Sequence, residues 1–189
     1  YGMVPESISH EGYSAKPMHS YWDALFVWRG LRDAAWLAER LRHTEDAAAF
    51  ARERDDFGRC LTDSVRLSML HHGIETIPGC AELGDFDATS TAIGLYPIGA
   101  RHLFPDQAWN ATFDKYMKFH RDRAKGKIEW RDYTPYEIRI CSGLLSMDRP
   151  DEAFELLSFF DRGSVPKAWN AWGEIVYRDM RPGRFIGDL

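Results

Sequence analysis

The stretch SYWDALFVWRGLRDAAWLAERLRHTEDAAAFARERDDFGRCLTDSVRLSMLHHG, residues 20–73, reads as two helices joined by a tight turn. Ser20 stands at an N-cap with Asp23 three residues on, close to a capping box. Leu25, Trp28, Leu31 and Ala35 then recur at helical spacing toward Leu41. A second helix starts at Thr44, with Glu45 and Asp46 in its first turn, where negative charge suits the helix dipole. Phe50, Phe57, Leu61, Val65 and Met69 give it one apolar stripe, and Gly73 ends it. A short connection between two such helices makes them antiparallel neighbours.

The same grammar continues toward the C-terminus. After a long loop containing Pro78, Gly79 and Gly84, a helix is predicted to start at Asp87 or Thr89 and to end before Pro97. Another runs from about Asp106 to Ala124, with Phe113, Tyr116, Met117 and His120 on one face. Thr134, Pro135 and Glu137 take the N-cap, N1 and N3 positions of a helix reaching about Met147. Asp148-Arg149-Pro150 breaks the chain before a helix over about Asp151–Phe160, and a further one begins near Lys167. No strict alternation lasts long enough to compete, so the fold class expected is all-α, built of antiparallel hairpins.

Composition narrows the function. The chain has 189 residues, of which 44% are hydrophobic and 28% charged, the balance of a globular domain rather than a disordered one. Net charge is −5, which disfavours a general nucleic-acid binder. No apolar run reaches the length of a membrane span. Cys60, Cys80 and Cys141 allow at most one disulfide and have no zinc spacing; there is no HExxH, no phosphate-binding P-loop and no GxGxxG. No metal and no cofactor are expected. Aromatics are the unusual part, at 14%.

Antiparallel hairpins place alternate helix starts at the same end. The starts near residues 44, 106 and 151 carry ordinary caps. The others gather rings and carboxylates: His10, Glu11, Tyr13, His19, Tyr21, Trp22 and Asp23; then Glu82, Asp85 and Asp87; then Trp130, Tyr133 and Glu137; then Trp169, Trp172 and Glu174. Two of the connections leading to this end are long, as functional loops often are. Aromatic faces stack on sugar rings and carboxylates take their hydroxyls. Glycoside hydrolysis needs two carboxyl groups, one protonated and one ionised. A carbohydrate partner is therefore expected at this end.

Two motifs carry a family resemblance. Lys16-Pro17-Met18-His19-Ser20-Tyr21-Trp22-Asp23 resembles the Tyr-Trp-Asp signature of the trehalase-like six-hairpin glycosidases. Glu82-Leu83-Gly84-Asp85-Phe86-Asp87 resembles their acid-bearing loop, although Asp85 stands where trehalases have Trp and Asp87 is added. Ser9-His10-Glu11-Gly12-Tyr13 and Asn170-Ala171-Trp172-Gly173-Glu174 look like bacterial members of that superfamily. The resemblance implies an (α/α)6 toroid with its active site at one end and an extracellular or periplasmic location, while the cysteines leave the compartment open. It implies Asp85 or Asp87 as general acid, with Glu174 as second carboxylate. It also implies sugar contacts from His10, Glu11, Tyr13, His19, Tyr21, Trp22, Asp23, Trp130 and Trp172. Six hairpins need twelve helices and about seven are legible. Residues 1–189, beginning at Tyr1 without an initiator Met, are therefore expected to be part of a longer catalytic domain, whose remainder would be a partner.

Simpler readings accompany several of these residues. Asp87 serves equally as an N-cap, capping suits Glu137, and it accounts for Asp23 as well as function does. Trp22, Trp28 and Trp36 at helical spacing read as core. His71 and His72 suit a helix C-terminus. The alternatives to hydrolysis are a noncatalytic carbohydrate-binding segment, a helical-repeat scaffold for protein partners, and a sugar epimerase or lyase leaning on His10 and His19.

Overall fold

Helix-forming runs with short connections become helices here nearly where the pattern places them. A computed structural model describes residues 2–8, 16–163 and 175–178. The helices are α1 (Tyr21–Arg40), α2 (Thr44–His72), α3 (Ala88–Ala92), α4 (Asp106–Ala124), α5 (Arg139–Ser146) and α6 (Pro150–Gly163). The described chain is all-α apart from one ladder of two-residue strands, β1 (Asp132–Tyr133) and β2 (Val176–Tyr177), paired antiparallel, and isolated bridges at Ser7–Met18 and Ser20–Cys80. No described helix is long and apolar enough to cross a membrane. The helix expected near Lys167 lies outside the described residues.

Two compact units make up the chain, Tyr1–Thr112 and Phe113–Leu189, and α4 contributes to both. In the first, α1 packs along α2, and Gly58 allows the close approach: a Cβ there would lie 3.0 Å from Trp28 Nε1. Gly58 costs its helix roughly 0.5–1 kcal/mol of backbone entropy, which burial of the Trp28 ring, at about 1.5–3 kcal/mol, offsets. Leu25, Leu61, Val65, Ile77, Ile93, Ile98 and Trp109 are buried with it. Gly73 ends α2 in the left-handed conformation at φ 62, its N–H donating to Leu70 and that of Ile74 to Met69. In the second unit Phe113, Met117, Ile140, Leu144, Leu156 and Phe160 are buried, and α5 packs on α6.

Three local expectations need correction, while the helix expected to end before Pro97 does so, at Ala92. The following turn puts Gly94 against the Trp109 ring, where a Cβ would sit 2.8 Å from it, and Pro97 disfavours helix before it. The helix expected from Thr134 divides into a 3-10 turn, Pro135–Ile138, and α5. Glu137 does not cap that turn, because its carboxylate is drawn to Arg123 and Tyr116 instead. Trp28 is core, but Trp36 is 57% exposed, since hairpin packing buries only one side of α1. All three cysteines are free thiols, with Cys80 and Cys141 buried.

Candidate functional site

The segment entering α1 is clamped on both sides by backbone pairing. Met18 exchanges hydrogen bonds with Ser7, its N–H donating at 2.9 Å and its carbonyl accepting at 3.0 Å. On the other side Ala81 N–H donates to the His19 carbonyl at 3.1 Å, and Tyr21 N–H to that of Gly79 at 3.0 Å. Residues 7, 18–21 and 79–81 thus lie side by side. The two motifs singled out in the sequence, around Tyr21-Trp22-Asp23 and Glu82–Asp87, are brought together by this pairing.

The loop is held to α2 as well. Ser68 Oγ donates to the Ala81 carbonyl at 3.0 Å. Gly84, at φ +62, rests on His72 so closely that a Cβ would lie 2.4 Å from the ring. Asp85 closes the loop: its Oδ1 accepts from Cys80 N–H at 3.1 Å and its carbonyl from Gly79 N–H at 3.1 Å. Burial pushes the Cys80 thiol up to about 11. Asp87 caps α3, Oδ1 accepting from Ser90 N–H at 2.9 Å and Oδ2 from the Ser90 hydroxyl. The capping reading accounts for Asp87 as it stands.

Glu82 meets His19. Both carboxylate oxygens accept from His19 N–H, at 3.2 and 3.1 Å, and Oε1 also contacts Nδ1 of the ring. Burial raises the Glu82 carboxyl, but the His19 ring and N–H outweigh it and leave the group below the usual carboxylate range. Glu6 joins this pair. One donor atom from each of Glu6, His19 and Glu82 lies within 4.8 Å of the others. Asp23 accepts from the Ser7 hydroxyl rather than closing a capping box with Ser20. Tyr21 is buried, its hydroxyl 2.9 Å from Ser64 Oγ; burial pushes the phenol up to about 12 despite that bond. Trp22 is half-buried beside Phe26, ring centroids 5.2 Å apart. A cavity of about 490 Å³ opens next to these groups, lined by Met3, His19, Cys60, Ser64, Ser68 and His71 among others.

The second unit holds a different aromatic cluster. Trp130 packs on Tyr133 and Phe159, at 5.9 and 6.3 Å between centroids. Buried Arg123 lies over Phe119, Tyr133 and Phe159 and makes a two-pronged pair with Glu137, at 3.0 and 2.8 Å. Tyr116 donates to the same carboxylate, and burial first, then that negative charge, pushes its phenol far up. His10, Glu11, Tyr13, Trp172 and Glu174 lie outside the described residues.

The sequence reading singled out His19, Tyr21, Trp22, Asp23, Asp85 and Asp87 from this region but passed over Glu6. The signal available for Glu6 was a carboxylate in a segment that no helix cap explains. Comparison with protein-family models, curated proteins and solved structures finds no match to this chain.

Proposed function

We propose that the chain is a carbohydrate-active segment of an (α/α)6 glycoside hydrolase, acting on an oligo- or polysaccharide at the junction of residues 6–7, 18–23 and 79–87. One observation carries the reading: the two motifs that resemble the six-hairpin glycosidases, distant in sequence, are hydrogen-bonded neighbours beside a cavity. In this reading Asp85 takes the general-acid role that the resemblance leaves between it and Asp87, since both Asp87 oxygens accept from Ser90 as the cap of α3, while Asp85 sits in the loop with Oδ1 on Cys80 N–H. Glu82, held ionised, and His19 take sugar hydroxyls.

The test is glycan hydrolysis, followed by released reducing sugar across a panel of oligosaccharides, in the protein carrying Asp85→Asn or Asp87→Ala. Loss of a general acid lowers the rate by about 10²–10⁴, so Asp85→Asn is expected to fall by that much. Asp87→Ala is expected to keep its turnover and lose about 1 kcal/mol of stability with its cap. Full activity in Asp85→Asn removes the acid assignment. Glycan binding by the parent without any released sugar replaces hydrolysis with a binding role.

A further inference from the structure

We propose that Glu6, His19 and Glu82 form a binding site for a divalent first-row metal ion, of the Mn²⁺ or Zn²⁺ type. The inference goes beyond the hydrolytic reading and is read out without any sugar. Its donor set is one imidazole nitrogen and two carboxylate oxygens, gathered within 4.8 Å of one another. Metal bonds to such donors are about 2.0–2.2 Å long, so donors sharing an ion lie within about 4.4 Å of each other. Glu6 is exposed, and rotation of its side chain covers the difference.

Three features favour an ion over a casual grouping of acids. The first is placement. The donors come from three separate segments, and main-chain hydrogen bonds already align those segments: Ser7 with Met18, and His19 with Ala81. Little ordering remains for binding to impose. The second is charge. Two carboxylates converge on a single imidazole, which pairs directly with Glu82 and balances at most one negative charge, whereas a divalent ion taking the place of that contact neutralises both. The third is donor chemistry. An all-oxygen cluster suits Mg²⁺ or Ca²⁺, whereas an imidazole among the donors suits first-row transition ions and Zn²⁺. His19 also lines the 490 Å³ cavity, so an ion held there has access to a small ligand. Nothing in the linear spacing advertises the site, because His19 and Glu82 are 63 residues apart.

The experiment is Mn²⁺ titration of the metal-stripped chain, with free Mn²⁺ followed by electron paramagnetic resonance and heat by calorimetry. Saturable uptake of one ion per chain is expected, with Mg²⁺ competing poorly. Removing even an outer-shell partner of a metal typically costs about 10–100-fold in affinity. Glu6→Gln, Glu82→Gln and His19→Gln are each expected to weaken uptake by at least about tenfold. Glu6→Gln is the decisive variant, since its exposed side chain can change without disturbing the fold, and circular dichroism confirms that each variant is folded. Absence of Mn²⁺ and Zn²⁺ uptake by the parent overturns the proposal. So does unchanged affinity in Glu6→Gln, which would place the ion elsewhere, and so does equal affinity for Mg²⁺. Loss of hydrolysis in Asp85→Asn with metal uptake intact shows that uptake does not need the acid, so the two readings fail independently.

Discussion

Arg123 carries its charge into the interior of the second unit, where Glu137 and three aromatic rings receive it. Burial alone would lower its pKa, but the Glu137 carboxylate outweighs that and raises it. Removing one partner of such a pair leaves a buried charge uncompensated, at about 3–5 kcal/mol. Glu137→Gln is therefore expected to lower stability in urea unfolding by about 3 kcal/mol. His120, only 1% exposed, lies on the same face of α4, stacked on Tyr116 and edge-on to Phe159. Burial, reinforced by Arg123 and Arg121 and opposed by Glu155 and Glu137, pushes it from 6.5 down to about 4. The unfolded chain then takes up a proton that the folded one refuses. Stability is full above about pH 6.5 and falls as pH drops toward 4, by roughly 3 kcal/mol in all. Urea midpoints measured from pH 8 to 4 check this, and His120→Gln is expected to flatten that limb. The carboxylates held low by their partners, Glu82, Glu152 and Glu155, add their losses only below pH 4.5.

At the scale of elements, the loop from Gly79 to Asp87 illustrates what punctuation residues reveal and what they conceal. Gly73 reads as a helix stop and is one, with φ 62. Gly84 reads only as a loop glycine, yet its φ of +62 and the His72 ring beneath it make it the tightest point of the loop. Gly84→Ala is expected to destabilise the protein by about 1–3 kcal/mol, from the left-handed backbone and the overlap together. In a His72→Ala background the overlap disappears and about 1 kcal/mol of backbone strain should remain; thermal unfolding of the four proteins of that cycle measures both parts. Helix starts were legible to within a residue or two, as with Asp87 or Thr89 for α3, where Asp87 is the cap, and Asp151 for α6, which begins at Pro150. Glu137 was not, because a buried guanidinium across the unit binds a carboxylate more strongly than a turn's own N–H groups do.

Over the whole molecule, 24 Lys and Arg against 29 Asp and Glu leave a formal charge of −5, and many of these groups form ion pairs, most of them at the surface, such as Arg29–Asp33 and Arg59–Asp56. Exposed pairs contribute little and are screened by salt. Raising NaCl from about 0.05 to 0.5 M, beyond which the Debye length is a few ångströms, is expected to shift stability by less than about 1 kcal/mol. The penalty of Glu137→Gln should persist at high salt, because that pair is buried. Urea midpoints at the two salt concentrations check both statements. The sequence by itself determined the all-α class, the hairpin of α1 and α2 and most helix ends, because periodicity, caps and glycines act over a few residues. Only the tertiary structure decided that Glu6 joins His19 and Glu82, that Tyr21 is buried on Ser64, and that Glu137 serves Arg123 rather than a cap. Those outcomes depend on which distant segments backbone pairing and burial bring within a few ångströms, and no local pattern encodes that distance.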